Sequence, residues 1–182
     1  FVTRRTHDRG SGSTTRQPAP PRPLYTPAER ARRDATRWTL VQGVLAPLQF
    51  AVMLVSVACV VRYLRTGDGL LAANASVLVK TAALYAIMVT GALWEKAVFG
   101  RYLFAPAFFW EDVVSFVVIA LHTVYLVALA GGLLAPRPLM YVALAAYAVY
   151  AVNAGQFVRK LRLARRDEAA ARGSLAVAGA TA

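Results

Sequence analysis

Trp38-Thr39-Leu40-Val41-Gln42-Gly43-Val44-Leu45-Ala46-Pro47-Leu48-Gln49-Phe50-Ala51-Val52-Met53-Leu54-Val55-Ser56-Val57-Ala58-Cys59-Val60-Val61 is a run of 24 residues without one charged side chain. A helix crossing the hydrocarbon core of a bilayer needs about 20 mainly apolar residues, so this run is long enough to span. Three more segments qualify. Residues 69–94 carry only Lys80, 113–136 carry only the neutral His122, and 138–158 carry no charge. The whole chain is 58% hydrophobic and 16% charged, far from the balance of a soluble domain. Helices satisfy their own backbone groups in lipid, so the expected fold class is an all-α integral membrane protein with four transmembrane helices, at about 38–61, 69–94, 113–136 and 138–158.

Charge sets the expected orientation. Seventeen of the 21 Lys and Arg residues lie before the first span, in the loop between spans two and three, or after span four. The opposite side receives Arg62, Arg65 and Arg137. The positive-inside rule then places both termini and the central loop in the cytoplasm, which predicts a multi-pass protein of a bacterial inner membrane. The net charge of +12 is explained mostly by that topology. No recognition-helix, zinc or aromatic-sheet motif accompanies it, so nucleic acid is not an expected partner.

Residues 1–23 are rich in Arg, Ser, Thr, Gly and Pro, a composition that predicts a disordered basic arm before a membrane domain at 24–167. The Ala/Gly-rich stretch 168–182 is expected to be a flexible tail. Cys59 is the single cysteine, so no disulfide or thiol cluster forms within one chain. Between arm and first span, Thr26-Pro27-Ala28-Glu29 has the spacing of a capping box with proline at the first helical position. Arg30, Arg32, Arg33 and Arg37 follow, making a basic surface helix suited to anionic lipid headgroups.

The chemistry-bearing residues gather in Trp94-Glu95-Lys96-Ala97-Val98-Phe99-Gly100-Arg101-Tyr102-Leu103-Phe104-Ala105-Pro106-Ala107-Phe108-Phe109-Trp110-Glu111-Asp112, between spans two and three. Acids, bases and aromatic rings at one membrane surface suit a large flat amphiphile. Ordinary interfacial anchoring also puts charges and rings there. Three carboxylates in one loop system go further: in a pocket between helices, burial would make one of them a proton donor near neutral pH. Along span three, Glu111, Ser115, His122 and, offset, Tyr125 share a face at helical spacing and should point into the bundle. His122 there can bind a metal, relay a proton or simply satisfy a neighbouring helix. In span four, Tyr150 and Asn153 share a face near Gln156, and Gln42 and Gln49 lie in span one; this polar lining would hold water, recognise ligand carbonyls or tie helices together. Lys80 is expected to snorkel to the outer interface or to pair with a helix-end carbonyl.

The runs Tyr25-Thr26-Pro27-Ala28-Glu29-Arg30-Ala31-Arg32-Arg33-Asp34, Trp38 to Phe50, Gly91 to Asp112 and Asn153-Ala154-Gly155-Gln156-Phe157 resemble the vinyl bacteriochlorophyllide hydratase family of photosynthetic bacteria, over roughly Leu24 to Asp167. The resemblance implies a hydro-lyase adding water to the C3-vinyl group of a chlorophyllide or bacteriochlorophyllide, giving a 1-hydroxyethyl group on the way to bacteriochlorophyll a. Hydrating an alkene needs an acid for the terminal carbon, a base for water and an oriented pocket. It needs no redox cofactor, and the chain has no GxGxxG fingerprint or phosphate loop. No cofactor is therefore expected, magnesium entering only as part of the tetrapyrrole substrate.

On that implied chemistry, Glu95 or Glu111 is the candidate proton donor, with the other carboxylate or His122 activating water. His122 could instead ligate the substrate's magnesium. Lys96 or Arg101 would pair with the substrate's propionate, and Trp94, Tyr102, Phe104, Phe108, Phe109 and Trp110 would flank the macrocycle, with Asn153 and Gln156 in the polar lining. Four helices enclose little volume for a tetrapyrrole, so the ligand is expected at a subunit interface or against lipid. Membrane lipids, a second copy of the chain and other enzymes of bacteriochlorophyll synthesis are the further partners considered. The alternative is a non-enzymatic pigment-binding or assembly subunit of the photosynthetic membrane.

Overall fold

The computed structural model describes residues 23–180. The expected arm at 1–23 lies outside the described residues except for Pro23. Five helices follow one another: α1 (Pro27–Ala35), α2 (Arg37–Thr66), α3 (Leu70–Phe99), α4 (Phe109–Ala130) and α5 (Pro136–Ala180), with no strand among the described residues. The last four are long and apolar enough to cross a membrane.

Each helix end has a local cause. The Thr26 hydroxyl accepts from Glu29 N–H at 3.3 Å while the Glu29 carboxylate accepts from Thr26 N–H at 2.8 Å, the reciprocal box that starts α1 on Pro27. Thr36 ends α1 in extended backbone and caps α2. Gly67 and Gly100 close α2 and α3 in left-handed backbone, at φ 81° and 82°. Two boundaries depart from the expected spans. The third helix stops at Ala130 rather than running to Pro136, because Gly131-Gly132 turns the chain, Gly132 at φ 59°. The fourth does not end near Val158. It continues to Ala180 through the segment expected to be loose, since Arg159 to Ala171 is dominated by Ala, Arg, Leu and Lys, all strong helix formers.

The bundle carries polar side chains within its apolar core and apolar side chains on its outside. Gln49, Ser56, Lys80, Thr81, His122 and Asn153 are buried, whereas Leu40, Val44, Leu54, Val55, Val79, Val89 and Val127 face outward. That arrangement suits a helix bundle whose solvent is hydrocarbon. α2 packs along α3 and α4 along α5, and the two hairpins meet through α2 with α5 and α3 with α4. Met53, Val60, Val77, Leu84, Val118, Tyr125 and Met140 fill the centre. At 30 residues, α2 and α3 are each roughly 45 Å long, more than the ~30 Å of hydrocarbon, so their ends project beyond it. α1 lies across one of those ends against α3. Its Arg32 donates to Val98 O at 2.7 Å, and Arg33 pairs with Glu168 of α5 at 2.8 Å.

Candidate active site

The α3–α4 connection, residues 100–108, is folded by carboxylates. Glu95, on the last turns of α3, accepts a hydrogen bond from Ala105 N–H at 3.1 Å, and Asp112, on the first turn of α4, accepts one from Phe104 N–H at 2.7 Å. Phe104 sits in left-handed backbone at φ 58°, an uncommon place for a bulky residue, and the Asp112 bond holds it there. Both carboxyl groups are buried, and each lies in the other's electrostatic field. Two carboxylates so close in a buried site repel each other, which favours a proton on one of them.

Glu111 points elsewhere. Its carboxylate pairs with Lys160 of α5 at 3.0 Å, and the same ammonium donates to Ala107 O and lies 5.1 Å from the centre of the Phe108 ring. Lys160 thereby ties α5 to the loop.

The aromatic residues divide into two sets. Trp94 and Phe108 turn inward: their rings meet edge to face at 5.4 Å, with Phe99, Tyr25 and Phe157 around them. The Trp94 indole N–H donates to Thr39 Oγ1 at 3.0 Å, which itself donates to Arg33 O at 2.6 Å. These two rings build a second small core. Phe104, Phe109, Trp110 and Phe116 face outward. Phe104 stacks on Phe116 at 5.5 Å with planes 11° apart, and Trp110 is 69% exposed. Tyr102 is exposed beside them. The cations Lys96 and Arg101 lie at the same edge: the Lys96 ammonium donates to Gly100 O at 2.9 Å and stands 5.1 Å from the Tyr102 ring, and Arg101 reaches Phe104 O at 3.5 Å.

A polar column descends from this end into the bundle. Asn153 donates to Ser115 at 2.8 Å, leaving its own carbonyl oxygen without a partner, as is the Gln156 carbonyl oxygen nearby. His122 is fully buried. Its Nδ1 donates to Val118 O at 2.8 Å, so Nε2 carries a lone pair, and that nitrogen has no partner. Glu111 and His122 share a face as the spacing indicated, but eleven residues of helix separate them by roughly 16 Å. The structure therefore brings Glu95 and Asp112 together, sets Glu111 beside them on Lys160, and leaves His122 in the middle of the bundle. Lys80 corrects its expectation. It does not snorkel: it is 0% exposed, donates to Gln49 Oε1 and sits 3.7 Å from the centre of the Tyr150 ring. Lys80 lies too far from either end of α3 for its stem to reach water, and two polar side chains at its own depth receive it. Lys160 was not singled out from the sequence, while Asp112, noted among the loop's three carboxylates, and Gln49, noted in the polar lining, were given no partner there. The position of Lys80 inside an otherwise uncharged span was the signal for the last of these.

Fold and site together define a class: a four-helix membrane protein with a buried acid pair and an outward-facing aromatic surface at one end. The 2-vinyl bacteriochlorophyllide hydratase (BCHF) family model matches residues 25–163, and the chain belongs to that family. A 2-vinyl bacteriochlorophyllide hydratase of Cereibacter sphaeroides is 67% identical over 154 residues, covering 84% of this chain and 95% of the relative. Another, from Rhodobacter capsulatus, is 65% identical over 147 residues, 80% of this chain and 85% of the relative. No solved structure matches.

Proposed function

We propose that this protein hydrates the C3-vinyl group of chlorophyllide or bacteriochlorophyllide to the 1-hydroxyethyl group, in a bacterial cytoplasmic or intracytoplasmic membrane with both termini and the loop on the cytoplasmic side. The observation that carries the chemical reading is the buried pair of Glu95 and Asp112 carboxyls beside an outward aromatic surface, a pair we take to share one proton. The proton goes to the terminal vinyl carbon. The positive charge left on the adjacent carbon spreads into the macrocycle, a water oxygen bonds there, and that water's second hydrogen returns to the protein. Glu111, ion-paired with Lys160, is the carboxylate assigned to accept it in this reading. One water is consumed, no electron moves and no cofactor is required.

Phe104, Phe109, Trp110 and Phe116 offer stacking faces to a macrocycle lying against the helices from the lipid side. Lys96 and Arg101 receive its propionate at the interface. Trp94 and Phe108 serve the reaction indirectly, as the inner wall that supports the loop. His122 is too deep to join the carboxylates in one step.

Expression in a host without the activity, supplied with 3-vinyl pigment, should give a product heavier by one water. Correctly inserted protein that returns the pigment unchanged would favour a binding or assembly subunit instead.

A further inference from the structure

Arg62 and Arg65 serve neither the packing nor the chemistry described above. They stand one turn apart near the end of α2, both exposed, and neither pairs with a carboxylate among the described residues. Arg137, the third cation of this end, is engaged with Leu64 O at 3.2 Å. Like charges at this spacing on a helix repel each other. In the proposed orientation the two also lie on the side that the charge bias leaves nearly bare, so they call for a counter-charge.

A cleft of about 380 Å³ adjoins them, lined by Ala58, Val61, Arg62, Arg65 and Thr66. That volume lies within the roughly 300–1,000 Å³ of small-molecule sites. The Thr66 hydroxyl is already spent, since it donates to Arg62 O at 2.9 Å and accepts from Asp68 N–H at 3.1 Å. The two guanidiniums are therefore the donors left for a ligand, and their planar forks of N–H groups match the oxygens of a phosphate.

Depth and the face below the cleft indicate which phosphate. The uncharged run of α2 ends at Val61, so Arg62 marks the edge of the hydrocarbon. Arg65 stands roughly 4.5 Å further out, within a headgroup layer about 5–7 Å thick. Below Arg62, the residues Ala58, Val55, Ala51 and Leu48 follow on the same face of α2 at helical spacing, all of them exposed. From Arg62 to Leu48 the helix falls by roughly 21 Å, against ~15 Å for half the hydrocarbon core. An acyl chain can thus lie along this apolar stripe through the whole depth of one leaflet.

We propose that Arg62, Arg65 and the stripe below them bind one anionic phospholipid, its phosphate held by the two guanidiniums and one chain laid along Ala58, Val55 and Ala51. The site is at the opposite end of the bundle from Glu95 and Asp112, and it stands independently of the hydratase reading.

The test uses the full-length protein in detergent, with phosphatidylglycerol, phosphatidylcholine and inorganic phosphate as probes. Bound lipid is read by native mass spectrometry, and the thermal midpoint is read alongside it. In phosphatidylcholine the choline cancels the charge of the phosphate. A charge-assisted hydrogen bond corresponds to about a tenfold change in affinity. Wild type should therefore hold one phosphatidylglycerol about tenfold more tightly than phosphatidylcholine, and phosphatidylglycerol should raise its midpoint. Arg62→Gln and Arg65→Gln should each lower that preference and together erase it, whereas Arg137→Gln, which removes an equal charge from the same end, should keep it. Ala58→Phe, which fills the cleft and leaves every charge in place, should weaken phosphatidylglycerol as well. Wild type that retains both lipids equally overturns the proposal even where no variant accumulates. Equal losses in all three arginine variants would make the effect one of net charge and overturn it too. Inorganic phosphate that raises the midpoint as far as the lipid does would overturn the phospholipid as the occupant.

Discussion

Glu95 and Glu111 lie at the same end of the bundle, and their different neighbours are the ground for assigning them different roles. Glu95 faces a second carboxyl and the Ala105 amide, whereas Glu111 faces an ammonium. Glu95→Gln keeps an oxygen for Ala105 N–H but cannot give up an acidic proton, so kcat should fall by about 10²–10⁴ while the protein still inserts, as read by hydration assay and membrane content. Lys160→Gln tests the other carboxylate. It strips the counter-ion from Glu111 and frees Ala107 O, so activity and thermal stability should fall together. The sequence showed that acids and rings gather between residues 94 and 112. It did not show which acids would touch, because that depends on a loop whose Phe104 backbone is left-handed and whose amides turn inward. Nor did it sort the rings, since Trp94 and Trp110 are the same residue type at the same interface, and only packing against Tyr25, Phe99 and Phe157 makes one structural.

At the scale of elements, α1 behaves as a clasp rather than a free surface helix. Tyr25 sits in the ring cluster with Arg33 5.0 Å above it, and burial pushes its phenol up to about 12, the nearby Arg33 guanidinium opposing that only in part. The ordinary phenol value is 10.0, so the unfolded chain ionises first as pH rises. The stability contributed by neutral Tyr25 is complete below pH 10 and is lost as pH climbs towards 12. In detergent, the thermal midpoint should drop across that interval, and Tyr25→Phe should flatten the drop. Thr26→Ala should cost about 1 kcal/mol by removing one arm of the capping box, measurable as a lower midpoint at neutral pH. This start was readable because capping depends on residues three apart. The four spans were equally readable, since length and apolarity suffice. Their ends were not: Gly131-Gly132 stops α4 inside a run that hydropathy alone would continue, and α5 persists past the membrane because helix propensity there needs no apolar residue.

For the whole molecule, the apolar surface of four long helices suits a bilayer, and the distribution of charge supports the proposed orientation. The end carrying α1, the loop and the middle turns of α5 holds Arg30, Arg32, Arg33, Lys96, Arg101, Arg159 and Lys160, while the opposite end holds Arg62, Arg65 and Arg137. Short loops follow this bias because arginine and lysine are retained on the cytoplasmic side during insertion. The orientation matters for the proposed chemistry, which needs propionate and water to reach Glu95 and Asp112 from the cytoplasm. In a Cys59→Ser background, Asp68→Cys on the far turn should react with a membrane-impermeant maleimide on intact spheroplasts, and Tyr102→Cys in the loop only after permeabilisation. The reverse pattern would place the carboxyl pair outside the cell and break the link between charge bias and the cytoplasmic supply of pigment.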